Sequence, residues 1–452
     1  MSFTSDIFLI GTLPFFALIY QCFKTQKATA RKALLFFANT LFLIWGGAGS
    51  FLLLCAFSLA VSFLAFLISK TGKRYIFALS VLLTITPLLF CKYTLFAIRT
   101  INSVTGFHLA APSLIVPTGI SFLTFEAVSL LSDLYRGLLK EVPSPLNTWL
   151  YLCFFPTVTS GPIIRYKEFE DGLRNPFIPA DYTAAIERIS IGLCKKTLIA
   201  NKLSLLVNYY YDGVAGGNSF SCPGLWIASV TFSLQLYFDF SGYSDMAVGI
   251  GELLGFRIRE NFAKPYQAVS ISDFWKRWHI SLTQWFRDYV YIPLGGNRCP
   301  KRRHIANMLV VWLLTGFWHG ADWSFIVWGL GYFVLLVFEK YLTPNIHSRI
   351  YTLFFVNLLW VPFRADSLST AGRYIAGMFG AGSFLPEEKA LRFLPLILAA
   401  ILLCFPLDRI FRKFDSNRFF SFVKGMVLIA LVFCALCSAL GSAYAPYIYG
   451  KF

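Results

Sequence analysis

The chain has 452 residues, of which 57% are hydrophobic, 18% aromatic and 14% charged. Soluble domains carry roughly 25% charged residues, so this balance excludes an ordinary soluble enzyme and predicts an all-α polytopic integral membrane protein. The net charge of +17 would suggest nucleic acid in a soluble chain. Here the basic residues gather at the ends of apolar runs, so they read as cytoplasmic loops facing anionic membrane lipids, with no nucleic-acid partner.

The first apolar run, Ile7 to Phe23, lacks a basic leader and is expected to be retained as a span. Ala33 to Ser69 has no charge and is too long for one crossing, and Gly46-Gly47-Ala48-Gly49-Ser50 predicts a turn within it. Lys24, Lys27, Arg31 and Lys32 precede that pair of spans, and Lys70, Lys73 and Arg74 follow it. Both flanks are therefore expected to be cytoplasmic, with the N-terminus outside. Tyr75 to Phe96 then crosses outward, and Leu109 to Leu131, broken by Pro117 and Gly119, returns to Asp133, Arg136 and Lys140.

Trp149 to Ile164 is apolar but contains Pro156, Gly161 and Pro162. It is expected to be a re-entrant or broken helix near the functional site, because irregular backbone at membrane depth needs protein or water around it. Residues 181–208 look amphipathic. Further runs at Leu225–Phe256, Ile305–Phe338, Ile350–Pro362, Phe393–Pro406 and Gly425–Leu440 bring the expected total to about eleven spans. No internal repeat or linker is visible, so residues 1–452 read as one integral domain. Six of the ten cysteines (Cys55, Cys91, Cys153, Cys404, Cys434 and Cys437) lie in or beside apolar runs and read as small buried hydrophobes. No zinc-type spacing is present, and no metal is expected.

His319 is the most informative residue. It stands in Trp318-His319-Gly320-Ala321-Asp322-Trp323, inside the apolar stretch Ile305–Phe338. An ionisable group at membrane depth is costly and marks a functional site by default, and histidine suits proton transfer near neutral pH. The alternative is a packed histidine bonded to a backbone carbonyl. At 1.5 Å per helical residue, His319 stands roughly 24 Å beyond Arg303. That distance predicts a buried turn at His319–Asp322 towards the outer face.

Ser272-Asp273-Phe274-Trp275-Lys276-Arg277-Trp278-His279 and the residues that follow, through Tyr289, are too charged to span lipid. Their aromatic and basic mixture predicts an interfacial helix carrying His279. Gly295-Gly296-Asn297-Arg298 and Lys301-Arg302-Arg303-His304 read first as a cytoplasmic topology signal; Arg298, Arg302 and Arg303 are also candidates to hold donor phosphates. Asp239, Tyr243 and Asp245 fall within an apolar run, where carboxylates are expensive unless paired. They are expected to orient histidine or arginine partners, to line a polar cavity, or to form a structural network. Gly249, Gly251 and Gly255 follow no strand and read as helix packing.

Five segments resemble the membrane-bound O-acyltransferase family, and within it the bacterial branch that O-acetylates alginate, related polysaccharides or peptidoglycan. They are Pro117-Thr118-Gly119-Ile120-Ser121-Phe122, Gly161-Pro162-Ile163-Ile164-Arg165, residues 237–245, residues 274–282 and Trp318-His319-Gly320-Ala321. They follow one another within a core of about residues 117–329. The resemblance implies a helical ring with a central tunnel and acetyl-CoA as the cytoplasmic acyl donor. It implies His319 and His279 as the catalytic pair; Trp318, Asp322, Asp239, Tyr243, Asp245 and Arg277 are the candidates to support them or line the tunnel.

Asp322 departs from the small or hydroxyl residue expected after Trp-His-Gly-Ala, and three-residue spacing would let it touch His319 on a helix. The acceptor implied is an extracytoplasmic polysaccharide or cell-wall polymer, reached from a bacterial inner membrane with help from a separate extracytoplasmic transferase. D-alanyl transfer to teichoic acid is the alternative within the family. A proton-coupled transporter is the alternative outside it. No serine nucleophile elbow is present, which favours direct transfer or transfer to a partner's hydroxyl.

Overall fold

Long apolar runs in a membrane leave the backbone no partner but itself, and they fold as helices. The computed structural model describes residues 7–23, 28–112, 114, 116–117, 119–176, 182–380, 384–406 and 418–441. Lys24, Lys27, Thr118 and Asp181 of the segments above lie outside these residues. Among the described residues every regular element is helical.

A π-helical turn, Ile7–Thr12, leads into α1 (Leu13–Phe23). Helices α2 (Ala28–Trp45) and α3 (Ala48–Thr71) are separated at Gly46-Gly47, as the glycine cluster predicts. Gly47 takes φ 120°, open to glycine and strained for other residues. Helix α4 (Arg74–Thr105) runs on well past the expected Phe96. The span expected at Leu109–Leu131 is helical only from Ile120, where α5 (Ile120–Tyr135) starts after Gly119 in the left-handed conformation.

Helix α6 (Pro145–Leu152) gives way to turns before α7 (Tyr166–Arg174), which bears out the broken-helix expectation for Trp149–Ile164. The irregular backbone is buried and is served by side chains. Asn39 Oδ1 accepts from Phe155 N at 3.0 Å, and Tyr151 Oη donates to the Ile164 carbonyl at 2.9 Å.

Among the described residues, four helices combine the length and hydropathy needed to cross a membrane: α3, α4, α14 (Trp323–Tyr341) and residues 419–440 of α18 (Arg418–Gly441). Their outward faces carry exposed Phe63, Leu82, Phe90, Val334, Ile429 and Phe433, more apolar surface than a soluble monomer tolerates.

The elements gather into two compact units. One holds the chain up to Ile189 with Met246–Arg259; the other holds Ser190–Asp245 and the chain from Glu260 onward. The broken segment belongs to the first unit, where Phe154 and Phe169 pack on Phe256 at 4.7 and 5.3 Å between ring centroids. Both histidines of interest belong to the second. There the amphipathic region becomes the end of α8 (Thr183–Cys194), a π-helical turn Lys195–Ala200 and α9 (Asn201–Ala215). Helix α10 (Cys222–Leu253) belongs to this unit as far as Asp245.

The remaining elements of the second unit are α11 (Ile271–Arg277), α12 (Ile280–Phe286), α13 (Lys301–His319), α14, α15 (Arg349–Arg364), α16 (Leu368–Phe379), α17 (Glu388–Leu403) and α18. Its core is aromatic. Trp278, Trp328 and Trp360 are fully buried, and Trp328 stacks on Trp360 at 5.9 Å. Large rings of this kind dominate core energetics.

Helices α13 and α14 form a tight hairpin, and the reason is local. A Cβ on Gly329 would stand 2.5 Å from the Trp312 carbonyl oxygen and 3.3 Å from Gly316 Cα. Only glycine permits that approach between backbones. Gly329→Val is expected to lower stability by about 2–3 kcal/mol, the upper range for overpacking, because the obstacle is main chain. Thermal unfolding in detergent checks this, and an unchanged midpoint would refute it.

Candidate active site

His319 is the last residue of α13 and is 2% exposed. The chain turns immediately: Gly320 is extended, and Asp322 caps α14 by accepting from Ser324 N at 2.8 Å. The predicted turn is therefore present, with His319 and Gly320 buried and Ala321 and Asp322 half-buried. Asp322 itself does not continue the helix of His319, so the spacing that would bring their side chains together is absent. Its carboxylate instead receives an otherwise unsatisfied N-terminal N–H. The His319 ring meets Trp318 at 4.8 Å, Trp328 at 4.8 Å and Phe363 at 5.4 Å, all edge to face.

The segment carrying His279 is not one continuous helix. It breaks into α11 and α12, seven residues each and too short to cross a membrane, with Phe274, Trp278, Leu282 and Trp285 buried in the unit. The break falls on His279, which takes φ 45° and ψ 54°. A non-glycine residue in the left-handed region is strained and must be held there by its surroundings. Helix α11 is fixed at its start by Glu339 of α14, whose buried carboxylate accepts from Ile271 N and Ser272 N at 2.5 and 2.9 Å.

Asn261 grips the turn from the other side. Its carbonyl accepts from Ile280 N at 3.0 Å, and its Oδ1 lies 3.2 Å from His279 Nδ1. His279 is fully buried, and burial pushes its imidazole down to about 3, so the ring is neutral near pH 7.

Trp318 joins the two histidines. Its ring is 4.8 Å from His319 and 6.3 Å from His279, while Phe240 of α10 packs edge-on against His279 at 4.7 Å. Asp239 and Asp245 on the same helix pair with lysines, as in the structural network, one of the three expectations for them. Lys196 Nζ lies 2.5 Å from Asp239, with both side chains buried, and Lys195 Nζ lies 2.6 Å from Asp245. Tyr243 is buried between these acids in sequence. Arg277 pairs with Asp273 one turn earlier, at 2.8 Å.

Arg298 and Arg302 are exposed, and Arg303 donates to the Leu294 carbonyl at 3.2 Å. They stand at the start of α13, with His319 at its far end, so the structure does not bring them to the histidines. Sequence reasoning missed two features. Asn261 carries no spacing signal, and only the tertiary fold reveals it. The second is a cavity of about 400 Å³ between α11, α12, α13 and α14, lined by Lys276, Thr283, Arg287, Tyr291 and Thr315 among others. Thr315 is one helical turn before His319.

Among the described residues, the helical fold and its exposed apolar faces define a helical membrane protein, and two buried histidines are held about one shared indole within it. The membrane-bound O-acyltransferase family model matches residues 75–379, which contain both histidines. The chain belongs to the membrane-bound O-acyltransferase family and is an O-acyltransferase. It is 33% identical over 430 residues to the probable alginate O-acetylase AlgI of Pseudomonas aeruginosa, covering 90% of this chain and 81% of the relative. It is 34% identical over 346 residues to the peptidoglycan O-acetyltransferase of Helicobacter pylori, covering 68% and 65%. A teichoic acid D-alanyltransferase of Bacillus subtilis is 34% identical over 289 residues, covering 60% of this chain and 71% of the relative.

Proposed function

We propose that this chain takes an acetyl group from cytoplasmic acetyl-CoA and passes it, through a tunnel in a ring of about eleven spans, to an extracytoplasmic polysaccharide or cell-wall polymer. The observation that carries this reading is the pair of buried histidines that share contact with the Trp318 ring. As an acceptor hydroxyl attacks the thioester carbonyl, a C–O bond forms and the C–S bond breaks. His319 takes the hydroxyl proton and returns it to the leaving thiolate. His279, neutral and buried, positions the donor or stabilises charge at the carbonyl. Lys276 and Arg287, lining the cavity that reaches Thr315, supply charge suited to donor phosphates. Arg298, Arg302 and Arg303 would act at most in attracting the donor to the cytoplasmic mouth.

Acetyl is favoured over D-alanyl because the alginate acetylase relative aligns over 90% of this chain and the D-alanyltransferase over 60%. A separate extracytoplasmic transferase would complete delivery to the polymer, in a bacterial inner membrane. Reconstituted protein given radiolabelled acetyl-CoA on the inner side, with an acceptor polysaccharide and its transferase outside, should release free CoA and label the polymer. Label transfer from a D-alanyl carrier but not from acetyl-CoA would replace the acetyl assignment.

A further inference from the structure

The contacts of Asn261 determine which nitrogen of His279 carries the proton. A backbone N–H can only donate, so the atom that Ser281 N meets at 3.1 Å must be the amide oxygen of Asn261. That fixes the amide against a flip and sends Nδ2 towards Ser244 Oγ at 3.4 Å. The same oxygen receives Ser281 Oγ at 2.9 Å and faces His279 Nδ1 at 3.2 Å. Oδ1 has no proton to give, so Nδ1 must be the donor. A neutral imidazole carries one proton, and Nε2 is then the lone-pair nitrogen.

We propose that Asn261 is a positioning residue that locks His279 as the Nδ1–H tautomer and so presents Nε2 as an acceptor to the reacting groups. The Asn261 main chain adds to the lock, since its carbonyl holds Ile280 N and with it the left-handed turn. This rests on the reading of His279 as part of the acyl-transfer site. The rings against the imidazole, Phe240 and Trp318, are uncharged. The charged groups on the elements around it include Asp239 and Asp245 of α10 with their lysines, Glu260 beside Asn261, Asp273, Lys276 and Arg277 of α11, and Arg287 after α12; on α13, His319 ends the helix, and Lys301, Arg302, Arg303 and His304 stand at its opposite end.

Two measurements test the lock. The chain has five histidines, so nitrogen NMR of the histidine-labelled full-length protein, with His279→Gln for assignment, reads the tautomer directly. The expected spectrum shows a protonated Nδ1 and a bare Nε2. An Nε2–H tautomer, or an even mixture, overturns the proposal whatever the activity.

The second measurement is the pH profile of acetyl transfer in Asn261→Asp, which keeps the shape and the acceptor for Ser281 N. A carboxylate beside Nδ1 favours imidazolium, so the acid limb should move up by about one pH unit or more. Uniformly lower activity with an unmoved limb would assign Asn261 a structural role only and overturn the proposal. Full transfer by His279→Gln would instead remove His279 from the reaction, while the NMR result would still stand or fall separately.

Discussion

Replacing His319 with glutamine is expected to lower acetyl transfer by about 100- to 10,000-fold, the range associated with a positioned general base. The protein should remain folded in the membrane. Glutamine is preferable to alanine because His319 fills a slot between Trp318, Trp328 and Phe363. Truncation there would open a cavity and mix a packing loss with the chemical one. Transfer rate at saturating donor, normalised to folded protein by size-exclusion, separates the two. Activity within about twofold of the parent would remove His319 from the role of base, since far larger losses follow from deleting such a group.

The largest stability effect is expected at Asp239. Its ion pair with Lys196 has both side chains 3% exposed, so Asp239→Ala leaves an ammonium buried without its main counter-charge. Breaking one half of such a pair costs about 3–5 kcal/mol, whereas replacing both halves by apolar groups of similar volume is often close to neutral. Asp239→Ala should therefore be strongly destabilised, and Asp239→Ala/Lys196→Met should regain most of the loss. Denaturant unfolding in detergent reads both. The exposed pair Arg392–Glu388, at 2.6 Å but with side chains 72% and 78% exposed, serves as a control and should be worth less than about 0.5 kcal/mol. Equal losses at the two sites would show that water reaches Asp239.

The parts of this molecule legible in the sequence are those encoded locally. Runs of apolar residues gave helices, Gly46-Gly47 gave a turn, and proline and glycine between Pro156 and Pro162 gave a broken segment. The turn after His319 was readable because Gly320 and Asp322 favour a helix break and a new cap. What escaped depends on contacts between distant residues.

The segment around His279 looks interfacial because its composition alternates ring and charge. Nothing local says that Glu339, 68 positions from Ile271, would receive the start of its helix. Asp322 was misplaced for the opposite reason: three-residue spacing was read on an uninterrupted helix that ends at His319 itself. The partners of Asp239 and Asp245 lie some 40 to 50 positions away, on a π-helical turn that no periodicity announces.

The adjacency of Asp239 and Phe240 sets the rotational phase of α10. Successive helical residues point about 100° apart around the axis. One of these two side chains is fixed by Lys196, and the other forms a wall of the His279 pocket. The ion pair therefore acts as a clocking pin: it sets the angle at which the phenyl edge meets the imidazole. A single residue inserted between the two would leave the pin seated and swing the wall roughly a quarter turn away.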